Sequence, residues 1–265
     1  MTFPVYLDFF GLRLHPHLVF EGVGYFVGAR LYFRSRRASR ELALSLDQNL
    51  WLLVGCIFGA WAGSKLLAWA EAPHHYAALL HTDPWALFGG KTIVGGLLGG
   101  WAGIEVAKTR LRLTRSTGDA FVWPLAVGTA LGRVGCFLTG LADRTYGTVT
   151  SLPWAVDFGD GFGRHPTQLY ESLFVVLLAL AVYLPSTLAA RPTRHPPPSG
   201  TRFRLYFAGY FAFRFAIEFI KPRETPFLAL SAIQLASLAG LTVSLLSLLR
   251  LSRIETEGEN RNSKI

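Results

Sequence analysis

Three short runs of this sequence carry residue types that chemistry uses and that apolar surroundings disfavour. The first is Gly132-Arg133-Val134-Gly135-Cys136, an arginine at the end of an apolar, glycine-rich stretch. The second, Arg164-His165-Pro166-Thr167-Gln168-Leu169-Tyr170-Glu171, sets a cation, an imidazole, an amide, a phenol and a carboxylate just ahead of another apolar run. The third places Tyr210, Arg214 and Glu218 at i, i+4 and i+8, one stripe of a helix, with Lys221 near its end. Taken alone, Arg214 and Glu218 also fit a neutralised structural pair. Arg133 and Arg164 on the same side would give the cations a majority. Guanidinium suits phosphate because its donors bind two oxygens at once. The residues therefore point to a site for a phospholipid or another amphiphilic anion, open sideways to lipid and outward to water.

Such groups need apolar elements to position them, and the composition supplies these. Of 265 residues, 51% are hydrophobic and 16% charged, against roughly 25% charged in soluble domains; the mean hydropathy is +0.34. The apolar residues gather into runs of about 20, the length at which a helix crosses a bilayer. Spans are expected near 17–33, 48–70, 85–107, 119–140, 166–185, 203–220 and 228–249. The first and sixth are the weakest, because Glu21, Arg30, Arg214 and Glu218 fall inside them. The expected fold class is all-α: a polytopic integral membrane protein of about seven transmembrane helices in one domain, with a polar tail at 250–265. Segment 141–165, with Trp154 amid Gly159, Gly161 and Gly163, is expected to form an outer re-entrant or interfacial loop. The glycines of span three suit close helix approach.

Charge placement sets an expected orientation. Lys and Arg cluster after span one (Arg34, Arg36, Arg37, Arg40), after span three (Lys108, Arg110, Arg112, Arg115), between spans five and six (Arg191, Arg194, Arg202, Arg204) and after span seven (Arg250, Arg253, Arg261, Lys264). The positive-inside rule then puts the N-terminus outside and the C-terminus in the cytoplasm. The pI near 9.9 reads as topology and attraction to anionic lipid. Nucleic-acid binding is disfavoured, since the basic residues are split among short loops. No basic region precedes the first apolar run as in a cleavable signal peptide. Residues 186–201, with Pro192, Pro196, Pro197 and Pro198, read as a stiff cytoplasmic linker, and the last dozen residues as frayed. Cys56 and Cys136 lie inside spans without metal-ligand spacing and read as small buried hydrophobes. His74, His75 and His81 read as loop surface. No metal or cofactor is expected.

The chain resembles the bacterial prolipoprotein diacylglyceryl transferases. The resemblance rests on Gly132 to Gly135, on Arg164 to Glu171, and on Gly209-Tyr210-Phe211-Ala212-Phe213-Arg214 continuing to Glu218, with Gly22, Tyr25 and Gly28 in the first span. It runs from about Glu21 to Leu249. It implies an inner-membrane enzyme that moves a diacylglyceryl group from phosphatidylglycerol to the lipobox cysteine of preprolipoproteins, forming a thioether and releasing glycerol phosphate without a cofactor. It further implies that Arg133 and Arg214 hold the phosphate and stabilise the leaving group, that Tyr210 donates a hydrogen bond there, and that Glu218 orients Arg214. Gly147 matches a glycine that follows the arginine motif, about three residues later than usual. His165, Gln168, Tyr170 and Glu171 serve either in catalysis or in pinning the outer loop to span five. Tyr25, Gly95, Gly96, Cys136 and Arg164 complete the implied substrate contacts.

The chain also departs from the family pattern. Val94 stands where many members carry a histidine proposed to activate the thiol, and valine accepts no proton. The base is then His165 or Glu218, or the thiol ionises in the field of the arginines, or the thiol step has been lost. Cys136 replaces a usual asparagine, Glu21 a usual tyrosine, and a carboxyl expected just beyond is missing around Thr139, Gly140 and Leu141. The phospholipid half of the site is thus better kept than the acceptor half. Competing readings are a transferase with another acceptor and a non-enzymatic lipid-binding protein on the same scaffold. A gain of activity in Val94→His would mark a degraded acceptor half.

Overall fold

The computed structural model describes residues 3–38, 44–188, 198–222 and 229–262. Arg40, Arg191, Arg194, Arg223, Lys264 and the linker prolines Pro192, Pro196 and Pro197 lie outside the described residues, as do the side chains of Arg36, Arg37 and Arg261. The apolar runs fold as helices α1 (Pro16–Ala38), α2 (Leu46–Glu71), α4 (Ile93–Arg110), α5 (Val122–Thr139), α6 (Thr167–Leu188), α7 (Thr201–Ile217) and α8 (Ala232–Asn262). Between α2 and α4 lies a helix the sequence reading treated as loop, α3 (Pro73–Thr82), on which His74, His75 and His81 are exposed. α8 continues through the tail expected to fray.

Four segments, Leu46–Glu71, Asp119–Asp143, Thr167–Leu184 and Ala232–Arg253, are long and apolar enough to cross a bilayer, with mean hydropathies of 1.5 to 1.9. The chain is an all-α membrane protein. α1, α4 and α7 fall short of that measure because α1 and α4 carry charges and α7 has 17 residues. α7 is also shielded by its position. It buries Phe203, Tyr206, Phe207, Tyr210, Phe211 and Arg214 inside the bundle, so its polar groups meet protein and need not meet lipid.

Glycines set the α2–α4 pair. Gly55, Gly59 and Gly63 face Gly103, Gly99 and Gly95, so that a Cβ on any of them would collide with the opposing helix backbone. Small residues four apart on both helices let the backbones touch. The expected third span is interrupted: a 3₁₀ turn, Pro84–Phe88, precedes α4. Lys65 of α2 donates to the freed carbonyls of Phe88 and Gly90, and Thr92 N–H donates to Ser64 Oγ at 2.9 Å. A lysine inside a span is thereby satisfied by a helix break.

Segment 141–165 is built on a short antiparallel hairpin, β3 (Val156–Asp157) with β4 (Gly163–Arg164), where the sequence suggests a re-entrant or interfacial loop. Phe158 is buried against Phe3 and Phe137, and Asp157 Oδ1 accepts from the Gly159 and Gly161 amides. A second hairpin, β1 (Leu7–Phe9) with β2 (Leu12–Leu14), precedes α1 and exposes Phe9 and Phe10 at its tip.

Candidate active site

Glu171 sits in the first turns of α6 at 2% exposure and gathers charge from two other helices. Arg133 of α5 places Nη2 3.2 Å from Oε1 in a hydrogen bond, and Nε 2.8 Å from Oε2 as an ion pair whose angle is poor for a hydrogen bond. Arg214 Nη1 of α7 donates to Oε2 at 3.0 Å, and Tyr210 OH donates to Oε1 at 2.7 Å. Arg214 Nη2 donates to Glu218 Oε2 at 2.9 Å. α7 ends at Ile217, and the 3₁₀ turn Glu218–Ile220 keeps Glu218 on the Arg214 face. Half-buried Lys221 closes that turn, where burial and the nearby Arg214 push its ammonium down to about 8. A buried charge persists where it is paired and hydrogen-bonded; here two guanidiniums answer two carboxylates, and Lys221 adds the surplus charge.

The donors are not exhausted. A guanidinium carries five N–H groups, and among the described residues Arg133 Nη1 meets only Cys136 Sγ, at 4.0 Å. Among the described residues, Arg214 Nε is buried without a partner, as are both amide atoms of Gln168.

The other residues singled out in the sequence divide. Arg164 does not join the cluster: its Nη2 pairs with Asp160 Oδ2 at 2.6 Å and its guanidinium lies over the Tyr146 ring. The cation majority inferred from Arg164 therefore arises from Lys221. His165 Nδ1 stands 3.3 Å from Tyr170 OH, which accepts from Trp154 Nε1 at 2.7 Å. Gly147 is pinched between the residues that lead into α6 and the turn after α7: its N–H donates to His165 O, the Thr148 N–H donates to Ile220 O, and a Cβ would strike His165. Gly95 lies in the α2–α4 contact, with Val94 beside it fully buried in the apolar core.

Tyr25 and Gly96 line a cavity of about 380 Å³ whose other walls include Leu97, Trp101, Leu125 and Phe207. Its lining comes from α1 and α5, which pack on each other, from α2 and α4, which form a second pair, and from α7. Apolar walls with few polar groups suit a hydrocarbon chain.

A polar chain links that cavity to Arg133; the sequence pointed to its Glu21, Tyr25 and Cys136 but not to His17 or Asp143. Tyr25 OH donates to Glu21 Oε1 at 2.8 Å, and Lys91 pairs with Glu21 at 3.3 Å. Glu21 Oε2 is 3.3 Å from His17 Nε2. His17 Nδ1 is 3.2 Å from Asp143 Oδ1 and 3.7 Å from Cys136 Sγ. Asp143 thus supplies a carboxyl near the place where one was missing, brought back by the 3₁₀ turn Gly140–Asp143. The local signals were His17–Glu21 and Glu21–Tyr25, both at helical spacing; the contacts of His17 to Cys136 and Asp143 join distant positions and leave no periodicity.

Comparison with known proteins gives a consistent result. The prolipoprotein diacylglyceryl transferase family model matches residues 4–250. A phosphatidylglycerol–prolipoprotein diacylglyceryl transferase of Geobacter sulfurreducens is 33% identical over 243 residues, covering 83% of this chain and 84% of the relative. The protein of the same name from Photobacterium profundum is 31% identical, over 83% and 82% of the two chains. That from Cupriavidus necator is 33% identical, over 88% and 82%.

Proposed function

The chain belongs to the prolipoprotein diacylglyceryl transferase family, and we propose that it transfers a diacylglyceryl group from phosphatidylglycerol to the lipobox cysteine of a preprolipoprotein. The observation that carries this is the convergence of Arg133 and Arg214, from two helices, on Glu171. It fixes two guanidiniums in a buried setting with donors to spare. Preorganised donors of this kind stabilise charge as it develops.

In the proposed reaction the acceptor sulfur attacks the glyceryl carbon that bears the phosphate ester. The S–C bond forms as the C–O bond breaks, and the electron pair leaves on glycerol phosphate. Arg133, through Nη1, and Arg214 hold the phosphate before and after cleavage, with Lys221 adding charge. Tyr210 and Glu218 keep the arginines in place through the hydrogen bonds described above. The same positive field favours the acceptor thiolate over the thiol. The acyl chains lie in the cavity between the α1–α5 and α2–α4 pairs.

The enzyme sits in the inner membrane with its N-terminus outside and its C-terminus in the cytoplasm; the one-sided basic clusters support this. Arg133, Glu171, Arg214 and segment 141–165 then face the exported acceptor. The test is release of glycerol phosphate from phosphatidylglycerol vesicles containing the protein. Release that requires a lipobox peptide supports the reading. Release without peptide, or with the peptide cysteine replaced by serine, contradicts it.

A further inference from the structure

We propose that His17, Cys136 and Asp143 form a binding site for one divalent transition-metal ion, of the zinc type, beside Arg133. Their ligand atoms all lie within 4.8 Å of one another. Ligands held about 2.0–2.3 Å from a tetrahedral ion stand about 3.3–3.6 Å apart. Here the nitrogen–oxygen separation is 3.2 Å and the sulfur–nitrogen separation 3.7 Å, both near a tetrahedral edge, and the sulfur–oxygen separation lies within 4.8 Å, so an ion fits once the Cys136 and Asp143 side chains draw in around it.

The donor set and its supports agree. One thiolate, one imidazole and one carboxylate suit zinc, and three protein ligands leave a fourth position open. Metal-bound histidines characteristically rest their other ring nitrogen on a carboxylate. His17 Nε2 faces Glu21 in this way, and Glu21 is itself held by Tyr25 and Lys91. The Asp143 carboxylate is oriented too, since Thr145 Oγ1 donates to Oδ2 at 2.6 Å and leaves Oδ1 toward His17. A proton on His17 Nδ1 serves only one of its two neighbours, whereas an ion engages both. Cys136 is buried, while His17 and Asp143 keep 25% and 13% side-chain exposure, giving the ion a route in.

The test of this site is a binding measurement, which does not depend on transfer activity. Full-length protein in detergent micelles is incubated with Zn²⁺, freed of excess ion, and assayed for bound metal; a parallel Co²⁺ sample is read for a thiolate-to-cobalt absorption band. The expected result is about one ion per chain, lost in Cys136→Ser and in His17→Gln but kept in Cys56→Ser, with the cobalt band present in wild type. No bound ion, no cobalt band in wild type, or binding that survives Cys136→Ser overturns the proposal. The wild-type cobalt spectrum decides the matter even where a variant fails to fold.

Discussion

Arg133 and Arg214 meet on the two oxygens of one carboxylate, that of Glu171, although they belong to different helices and are 81 positions apart in the chain. Neither arginine can move without disturbing the other. Glu171→Gln removes the shared counter-charge and leaves two buried guanidiniums with only Glu218 between them. Breaking a buried ionic cluster costs about 3–5 kcal/mol. The variant is expected to melt well below wild type in detergent and to lose transfer activity. An unchanged melting temperature would remove Glu171 from the centre of the site.

Lys221 gives the account a pH signature. As pH rises through about 8 its ammonium is lost, so the attraction for a phosphate headgroup weakens and the KM for phosphatidylglycerol rises. Stability moves the other way. The unfolded chain holds this proton up to about 10.5, so between the two values unfolding takes up a proton and the fold gains stability with pH. Lys221→Arg should flatten the KM profile, and Lys221→Met should abolish the stability rise. Parallel profiles in wild type and both variants would contradict the assignment.

Val94 was the largest doubt raised by the sequence, as a degraded catalytic position. Its full burial among Val122, Ala126 and Val175 makes it a core residue here. Val94→His is expected to lower the melting temperature, since an unpartnered buried polar group costs about 1–3 kcal/mol and overpacking about as much. No gain in transfer is expected; a clear gain would restore the degraded-site reading.

What the sequence made legible were local relations. Helical spacing gave the Arg214–Glu218 pair, and hydropathy gave most helices. Glu171 was read as part of an outer-loop motif because its partners lie 38 and 43 residues away, and no periodicity reports such a contact. The same holds for His17, Cys136 and Asp143. α7 looked weak by hydropathy for a physical reason: its polar stripe is neutralised inside the bundle. The glycines of α4 were visible, but their collision partners on α2 appear only when the two helices are set side by side.

Arg164 and Asp160 form a self-contained pair at the hairpin, and the hydrogen bonds from Arg164 hold the Asp160 carboxyl below its usual range. Arg164→Ala is therefore expected to leave phosphatidylglycerol turnover close to wild type in the vesicle assay. Loss of turnover comparable to that of Arg133→Ala would place Arg164 at the substrate.

Gly147 couples segment 141–165 to the turn that carries Glu218. Gly147→Ala drives a methyl into His165, and overpacking of this kind costs about 1–3 kcal/mol. Reduced transfer with partial loss of stability is expected in the vesicle assay and a thermal melt; wild-type values in both would show that the contact relaxes freely.

The central claim is that Arg133 and Arg214 serve the transfer of a diacylglyceryl group to a lipoprotein. Complementation in bacteria depleted of their own transferase measures it most directly, reading the lipid-shifted band of a reporter lipoprotein. Wild-type protein is predicted to restore the band, and Arg133→Ala and Arg214→Ala, present in the membrane at equal levels, to fail. A restored band in either arginine variant, or none with well-expressed wild-type protein, would contradict the account.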